Sequence, residues 1–296
     1  MATIEVTGLR KSYGSREVLH GLDFTVEQGE VFALLGPNGA GKTTTVEILE
    51  GYRRRDGGAA QVLGCDPGET GTGFRARIGI VLQSSAVYPT LTVGETLELF
   101  AGYYPSPRDP PEVVALVGLE DKRDARVRTL SGGQLRRLDL GLALVGDPEL
   151  IFLDEPTTGF DPEARRRAWD TVLGLRDLGK TVLLTTHYLE EAEALCGRIA
   201  MLKAGRVVAL DTTRNLLTRV AGLTVRLVAE RVPASWQSRV TSHDGRIFIL
   251  GLERYADLES LLAALRLEDI AIDELALQET DLEQVFLQIM GAGRPR

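Results

Sequence analysis

Apolar residues fall along the first two thirds of this chain in short, nearly unbroken runs. Positions 31–35, 150–153 and 181–185 are the clearest. Runs of that length without alternation predict strands covered on both faces of a parallel sheet. Positions 78–82 predict a further strand, and 4–6 and 22–26 predict short strands near the start. The pattern turns helical at 43–49, over 92–145 with a Pro-rich break at 104–111, and at 190–195. A closing hairpin is expected from 199–202 and 206–210. Near Arg219 the texture changes. Positions 223–228 and 246–250 alternate like half-buried strands, Leu258, Leu261, Leu262 and Leu265 keep helical spacing, and 272–277 predict a third strand. Thr280 and Glu283 fit a capping box that opens a last helix through Met290. The expected organisation is an α/β domain over 1–218 and a small α+β domain over 219–296. There is no internal repeat.

The first buried run ends in Gly36-Pro37-Asn38-Gly39-Ala40-Gly41-Lys42-Thr43, which fits G-x-x-x-x-G-K-S/T between a strand and a helix. Polyanionic phosphates must be wrapped closely. Glycines let the backbone approach and turn its N–H groups inward, and the following helix adds its positive end. Lys42 is expected to reach the β- and γ-phosphates and the Thr43 hydroxyl to ligate Mg2+. The run 150–153 ends in Asp154-Glu155. A carboxylate at a strand tip beside such a loop is where Mg2+ is held, and that role falls to Asp154. Glu155, on the other side of the pleat, is placed to orient and polarise an attacking water.

Composition narrows the partners. The 296 residues are 44% hydrophobic and 26% charged, ordinary for a globular protein. A formal net charge of -8 argues against a nucleic-acid partner. No apolar run approaches the ~18 residues that cross a bilayer, and the start does not read as a signal peptide. Cys65 and Cys196 have no metal-ligand spacing and read as reduced thiols.

The segment Leu130-Ser131-Gly132-Gly133-Gln134 resembles the signature sequence of the ATP-binding-cassette (ABC) ATPases. Other marks follow in that family's order over about the first 215 residues. The resemblance implies a P-loop NTPase: a RecA-like parallel core, an antiparallel β subdomain and an α-helical signature subdomain. It implies that Tyr13 stacks on adenine and that Thr44 belongs to the ATP cradle with residues 36–43. Gln83 resembles the Q-loop glutamine, which contacts Mg2+ or water. Asp161, in Gly159-Phe160-Asp161, matches the D-loop aspartate, and His187 the switch histidine at the γ-phosphate. It further implies that Ser131, Gly132, Gly133 and Gln134 face the ATP of another protomer. One chain then carries two half-sites, and ATP joins two cassettes head to tail, the expectation here being a homodimer. Phe160 departs from the leucine common at its position.

The region around Gln83, Tyr88 and Leu97, together with 281–287, is similar to exporter ATPases of the daunorubicin/doxorubicin resistance type. That implies a separate transmembrane permease, a peripheral place on the cytoplasmic face of the membrane, and efflux of a drug or other hydrophobic substrate. The alternatives are a soluble ABC ATPase acting on ribosomes or nucleic acid, an importer or lipid-exporter ATPase, and a degenerate binding cassette. The first would need a second cassette or a long coiled-coil insertion, and the last conflicts with the presence of Lys42, Glu155 and His187.

Overall fold

A strand buried at every position needs a neighbour on each edge and cover on each face. Residues 31–35 meet that condition, and the first part of the chain is built around them. The computed structural model describes residues 2–69, 71–81, 87–219, 223–252, 255–278 and 282–291. In chain order it opens with β1 (Ala2–Tyr13), β2 (Arg16–Glu27), β3 (Val31–Leu35), α1 (Lys42–Leu49), β4 (Gly57–Val62), α2 (Thr72–Arg75) and β5 (Ile78–Val81). Helices α3 (Val93–Ala101), α4 (Pro110–Leu116) and α5 (Gly132–Leu144) follow. Then come β6 (Leu150–Asp154), α6 (Pro162–Asp177), β7 (Thr181–Thr186), α7 (Leu189–Leu195), β8 (Arg198–Lys203) and β9 (Arg206–Thr212).

The central sheet runs β5-β6-β7-β3-β8-β9. Its pairings are parallel except for the β8–β9 hairpin. Register sets the site. Leu35 pairs with Thr186 on one side and Met201 on the other, and Asp154 pairs with Thr185. The carboxyl ends of β3, β6 and β7 therefore finish level, which is where open α/β sheets present their chemistry. A second, antiparallel sheet, β2-β1-β4, packs on this core through Phe24, whose ring stacks on Phe32 at 5.8 Å. Each such fully buried apolar side chain contributes roughly 1.5–3 kcal/mol relative to exposure. Helices α3, α4 and α5 pack together, with Leu97 and Val113 lying against α5 at Gly141.

The sequence pattern missed α2, β4 and α6. β4 reads Gly-Gly-Ala-Ala-Gln-Val and buries only Ala60 and Val62. α6 buries only Val172 and Leu175 along 16 residues, so it has no broad apolar stripe. β1 and β2 are each 12 residues, longer than their apolar cores suggested, because polar positions alternate along both.

Residues 213–296 form a second compact unit. It holds α8 (Thr213–Arg219), β10 (Leu223–Ala229), β11 (Val240–Asp244), β12 (Ile247–Leu252), α9 (Tyr255–Leu267), β13 (Ile272–Gln278) and α10 (Leu282–Gly291). The sheet is antiparallel in the order β11-β12-β10-β13. The sequence pattern also missed α8 and β11, the latter a fourth strand in this unit where three were expected. Val225, Leu227 and Ala229 point from β10 into a core completed by Leu261 and Leu265 of α9 and by Trp236. The expected cap at Thr280 lies outside the described residues. Among the described residues no helix is long and apolar enough to cross a membrane.

Candidate functional site

The loop leaving β3 is held by backbone sterics. A Cβ on Gly36 would stand 2.5 Å from the Leu202 carbonyl oxygen, and one on Gly41 2.6 Å from a Leu19 methyl. Gly39 and Gly41 also take φ of +79° and +108°, the left-handed region that glycine enters without strain. Lys42 opens α1, and its side chain folds back over the loop. Nζ donates to the carbonyl oxygens of Gly36 (2.7 Å) and Pro37 (3.4 Å). Burial lowers the Lys42 pKa, and the charges of Glu155 and Asp154 oppose that. Pro37, Asn38, Gly39 and Thr43 are exposed while Ala40 is buried. The Tyr13 hydroxyl lies 3.4 Å from the Thr44 hydroxyl, and the Tyr13 ring, half open to solvent, lies under the Arg53 guanidinium at 5.1 Å.

Asp154 ends β6. Its Oδ1 accepts the Thr185 hydroxyl, and its Oδ2 takes no hydrogen bond from the described residues. The Glu155 N–H donates to both the carbonyl and the hydroxyl oxygen of Thr185, each at 3.1 Å. Glu155 itself sits in the left-handed region at φ +47°. Its direction thus comes from a backbone turn just past the strand, and not from the alternation of the pleat expected from the sequence. The turn brings Glu155 Oε1 to 3.8 Å from Lys42 Nζ and 3.2 Å from His187 Nδ1. Oε2 accepts the Thr158 hydroxyl at 3.1 Å. Glu155 and His187 are close without hydrogen-bond alignment, and His187 Nδ1 is buried with no hydrogen-bond partner among the described residues.

Ser131 caps α5. Its Oγ accepts the Gln134 N–H at 3.3 Å, and the Gln134 side chain accepts the Ser131 N–H at 2.9 Å. Space beside Gly132 and Gly133 is open. These residues line a cleft of about 1100 Å3 that also takes in Glu155, Gly159, Phe160 and Asp161. Asp161 caps α6 by accepting the Ala164 N–H at 2.8 Å. Residues 36–44 do not line that cleft. The site therefore gathers Lys42, Asp154, Glu155 and His187 in one cluster, Tyr13 and Thr44 in a second, and Ser131 to Gln134 with Asp161 around an opening that reaches the first cluster at Glu155. Gln83 lies outside the described residues.

Four contributors went unread in the sequence. Thr185 ties Asp154 to Glu155, and Thr158 holds Glu155. Arg136 reaches from α5 to the carbonyl oxygens of Asp154 (3.1 Å) and Pro156 (3.3 Å), with burial lowering its pKa. Glu50, at the end of α1, is buried and pushed up to about 8, chiefly by burial and then by the charges of Asp154 and Glu47. Motif spacing carries no signal for such contacts between distant segments. The donor set suits Mg2+. It is the exposed Thr43 hydroxyl and one unengaged Asp154 oxygen, hard oxygens too few for a closed cage, with room for substrate phosphates and water. Among the described residues no group of three His, Cys, Asp or Glu forms an all-protein metal site.

A sequence model of the ABC transporter family matches residues 19–158. Linearmycin resistance ATP-binding protein LnrL of Bacillus subtilis is 35% identical over 305 residues, spanning 97% of this chain and 98% of that protein. Nod factor export ATP-binding protein I of Ralstonia nicotianae is 39% identical over 306 residues, spanning 97% and 94%. A solved ATP-binding subunit of an ABC transporter superposes with a TM-score of 0.66 at 29% identity, covering 73% of this chain and 92% of that one. A dimeric, post-hydrolysis ATP-binding cassette bound to ADP and Pi does so at 0.63 and 25% identity, covering 71% and 98%. The chain belongs to the ATP-binding proteins of ABC transporters. Its fold is the P-loop NTPase fold of that family, and as an ABC ATPase it binds and hydrolyses ATP.

Proposed function

We propose that this chain powers an exporter by ATP hydrolysis at the cluster of Lys42, Asp154, Glu155 and His187, working with a separate transmembrane permease at the cytoplasmic face of the membrane. The observation that carries this reading is the Glu155 carboxylate, turned by its left-handed backbone to stand between Lys42 and His187. The export reading is supported by relatives named for linearmycin resistance and Nod factor export that span nearly the whole chain. The cargo is a drug or another hydrophobic molecule.

In this reading the 36–43 loop amides and Lys42 bind the phosphates, and Tyr13 supports the adenine beside Thr44. Thr43 and Asp154, with Gln83, hold Mg2+, which when bound neutralises charge on the phosphate oxygens. Glu155 accepts a proton from water as that water attacks the γ-phosphorus. The bond to the bridging oxygen breaks, and ADP and inorganic phosphate leave. His187 orients Glu155 and the transferring group. Ser131, Gly132, Gly133, Gln134 and Asp161 complete the site of a second copy in a head-to-tail homodimer. The open space at Gly132 and Gly133 and the free approach to the start of α5 support that role. Residues 1–212 serve as the catalytic domain and 213–296 as an accessory domain, the two compact units of the chain. A ribosome- or nucleic-acid-directed ATPase is not favoured, given the net charge of -8 and the export relatives.

The test is Glu155→Gln. Hydrolysis is expected to fall at least about 100-fold while ATP binding persists, with light scattering showing a doubled mass only when ATP is present. Copurification with ATP is expected to bring down a polytopic membrane protein. Unchanged hydrolysis would remove Glu155 from its role, and a ribosome or nucleic acid in place of a membrane protein would overturn the exporter reading.

A further inference from the structure

The proposed mechanism uses none of the groups around Glu191, on α7, whose side chain is fully buried. Its Oε1 accepts the Thr157 hydroxyl at 2.8 Å and the Trp169 indole N–H at 3.3 Å. Its Oε2 is also buried and takes no aligned hydrogen bond from the described residues, although the Thr186 hydroxyl lies beside the carboxylate. Burial raises the Glu191 pKa, the donors oppose that, and the nearby Arg165 charge does so least. A buried carboxylate oxygen without an aligned partner is costly. A position selected for packing alone would be filled better by an apolar side chain of similar size.

The neighbours of Glu191 sit on three segments near the catalytic cluster. Thr157 stands two residues beyond Glu155. Trp169 is on α6, the helix that Asp161 caps. Thr186 directly precedes His187, and its hydroxyl accepts the Tyr188 N–H at 2.9 Å. The His187 and Tyr188 rings lie 4.1 Å apart, and Arg165, one turn before Trp169, covers the Tyr188 ring at 4.6 Å. One carboxylate thus bonds the segment that carries Glu155 to α6, and it projects from the helix that begins just after His187.

We infer that Glu191 is a positioning residue for ATP hydrolysis, tying the Glu155 segment through Thr157, and α6 through Trp169, to the helix that follows the His187 turn. It touches no reacting group. Its action is to keep His187 Nδ1 at 3.2 Å from Glu155 Oε1, where a displacement of about 1 Å is enough to slow chemistry strongly. The inference rests on the roles proposed for Glu155 and His187. A residue that served packing alone would change stability and leave the chemistry of the folded fraction as it was.

The experiment measures kcat and KM for ATP, with nucleotide affinity, in the full chain carrying Thr157→Val, Glu191→Gln, both together, or Glu155→Gln. Thr157→Val preserves shape and removes one donor. Both single variants are expected to lower kcat about tenfold and to leave KM within about twofold, the pattern of a group that acts only in the chemical step. The double variant is expected to be no slower than Thr157→Val alone, because both substitutions act on one contact, Thr157→Val by removing the donor and Glu191→Gln by replacing the carboxylate with a weaker amide acceptor. In a Trp236→Phe background, Glu191→Gln is expected to shift the Trp169 emission as the indole hydrogen bond weakens. Full hydrolysis by Glu155→Gln would overturn the catalytic reading itself, whatever Glu191 does. With Glu155→Gln inactive, full kcat in Thr157→Val would overturn the positioning role, and so would equal loss of kcat and nucleotide affinity. If Glu191→Gln does not fold, Thr157→Val decides alone.

Discussion

The Glu50 carboxyl, at the far end of the helix that follows the phosphate loop, shows how one residue couples the fold to pH. Burial and the charges of Asp154 and Glu47 hold its pKa at about 8, against 4.5 for a free side chain. Between those values the folded chain keeps a proton that the unfolded chain has lost. Stability from this group is therefore complete below about pH 4.5 and drains away as pH rises toward 8. Glu50→Gln removes the titration. Measured without nucleotide or Mg2+, the thermal midpoint of the parent should fall from pH 5 to pH 8.5 more steeply than that of Glu50→Gln, with the variant the more stable at the alkaline end. Parallel curves would show that Glu50 titrates normally. At the other end of α1, Gly41→Ala meets both a φ of +108° and a Leu19 methyl, and should abolish ATP binding before it abolishes folding. Residues of this kind differ in how plainly the sequence shows them. Lys42, Asp154 and Glu155 stand in motifs whose spacing encodes their chemistry. Thr185 and Glu191 act on residues 31 and 34 positions away, the first brought there by sheet register and the second by the packing of α7.

Helix α5 combines a structural and a functional demand at its first turn. The Ser131 hydroxyl caps the helix through Gln134, a bond that contributes about 1 kcal/mol. Ser131→Ala should lower stability by roughly that amount. Ser131→Asp keeps a good cap but places a negative charge at an opening proposed to meet a triphosphate. Its melting temperature should match the parent, while ATP-driven dimerisation and hydrolysis are lost. If Ser131→Asp hydrolyses ATP normally, the signature turn does not meet phosphate. The same contrast explains which elements were legible. β3, β6 and β7 are buried on both faces, so apolar content alone identifies them. α6 is defined by its start, an Asp161 cap followed by Pro162, and not by its face. β4 takes its place from pairing with β1, against the weak strand preference of Gly57 and Gly58.

At the scale of the whole chain, two tryptophans report on two cores. Trp169 belongs to the first unit, through its bond to Glu191, and Trp236 is buried in the core of the second. Every residue proposed to contact nucleotide lies in the first unit. Ligand binding stabilises only the cooperative block that holds the ligand, by about 2.7 kcal/mol at a hundredfold excess over Kd. In a Glu155→Gln background, the Trp169 signal (isolated by Trp236→Phe) should therefore shift upward by roughly 5–10 °C with saturating ATP and Mg2+. The Trp236 signal, isolated by Trp169→Phe, should stay where it is, because residues 213–296 carry a sheet and core of their own. A common shift of both signals would mean that the two units unfold as one block, and that the second unit shares in the energetics of the ATP cycle. A shift confined to Trp169 would leave the second unit free to serve assembly without altering hydrolysis, and truncation after Thr212 should then preserve ATP binding.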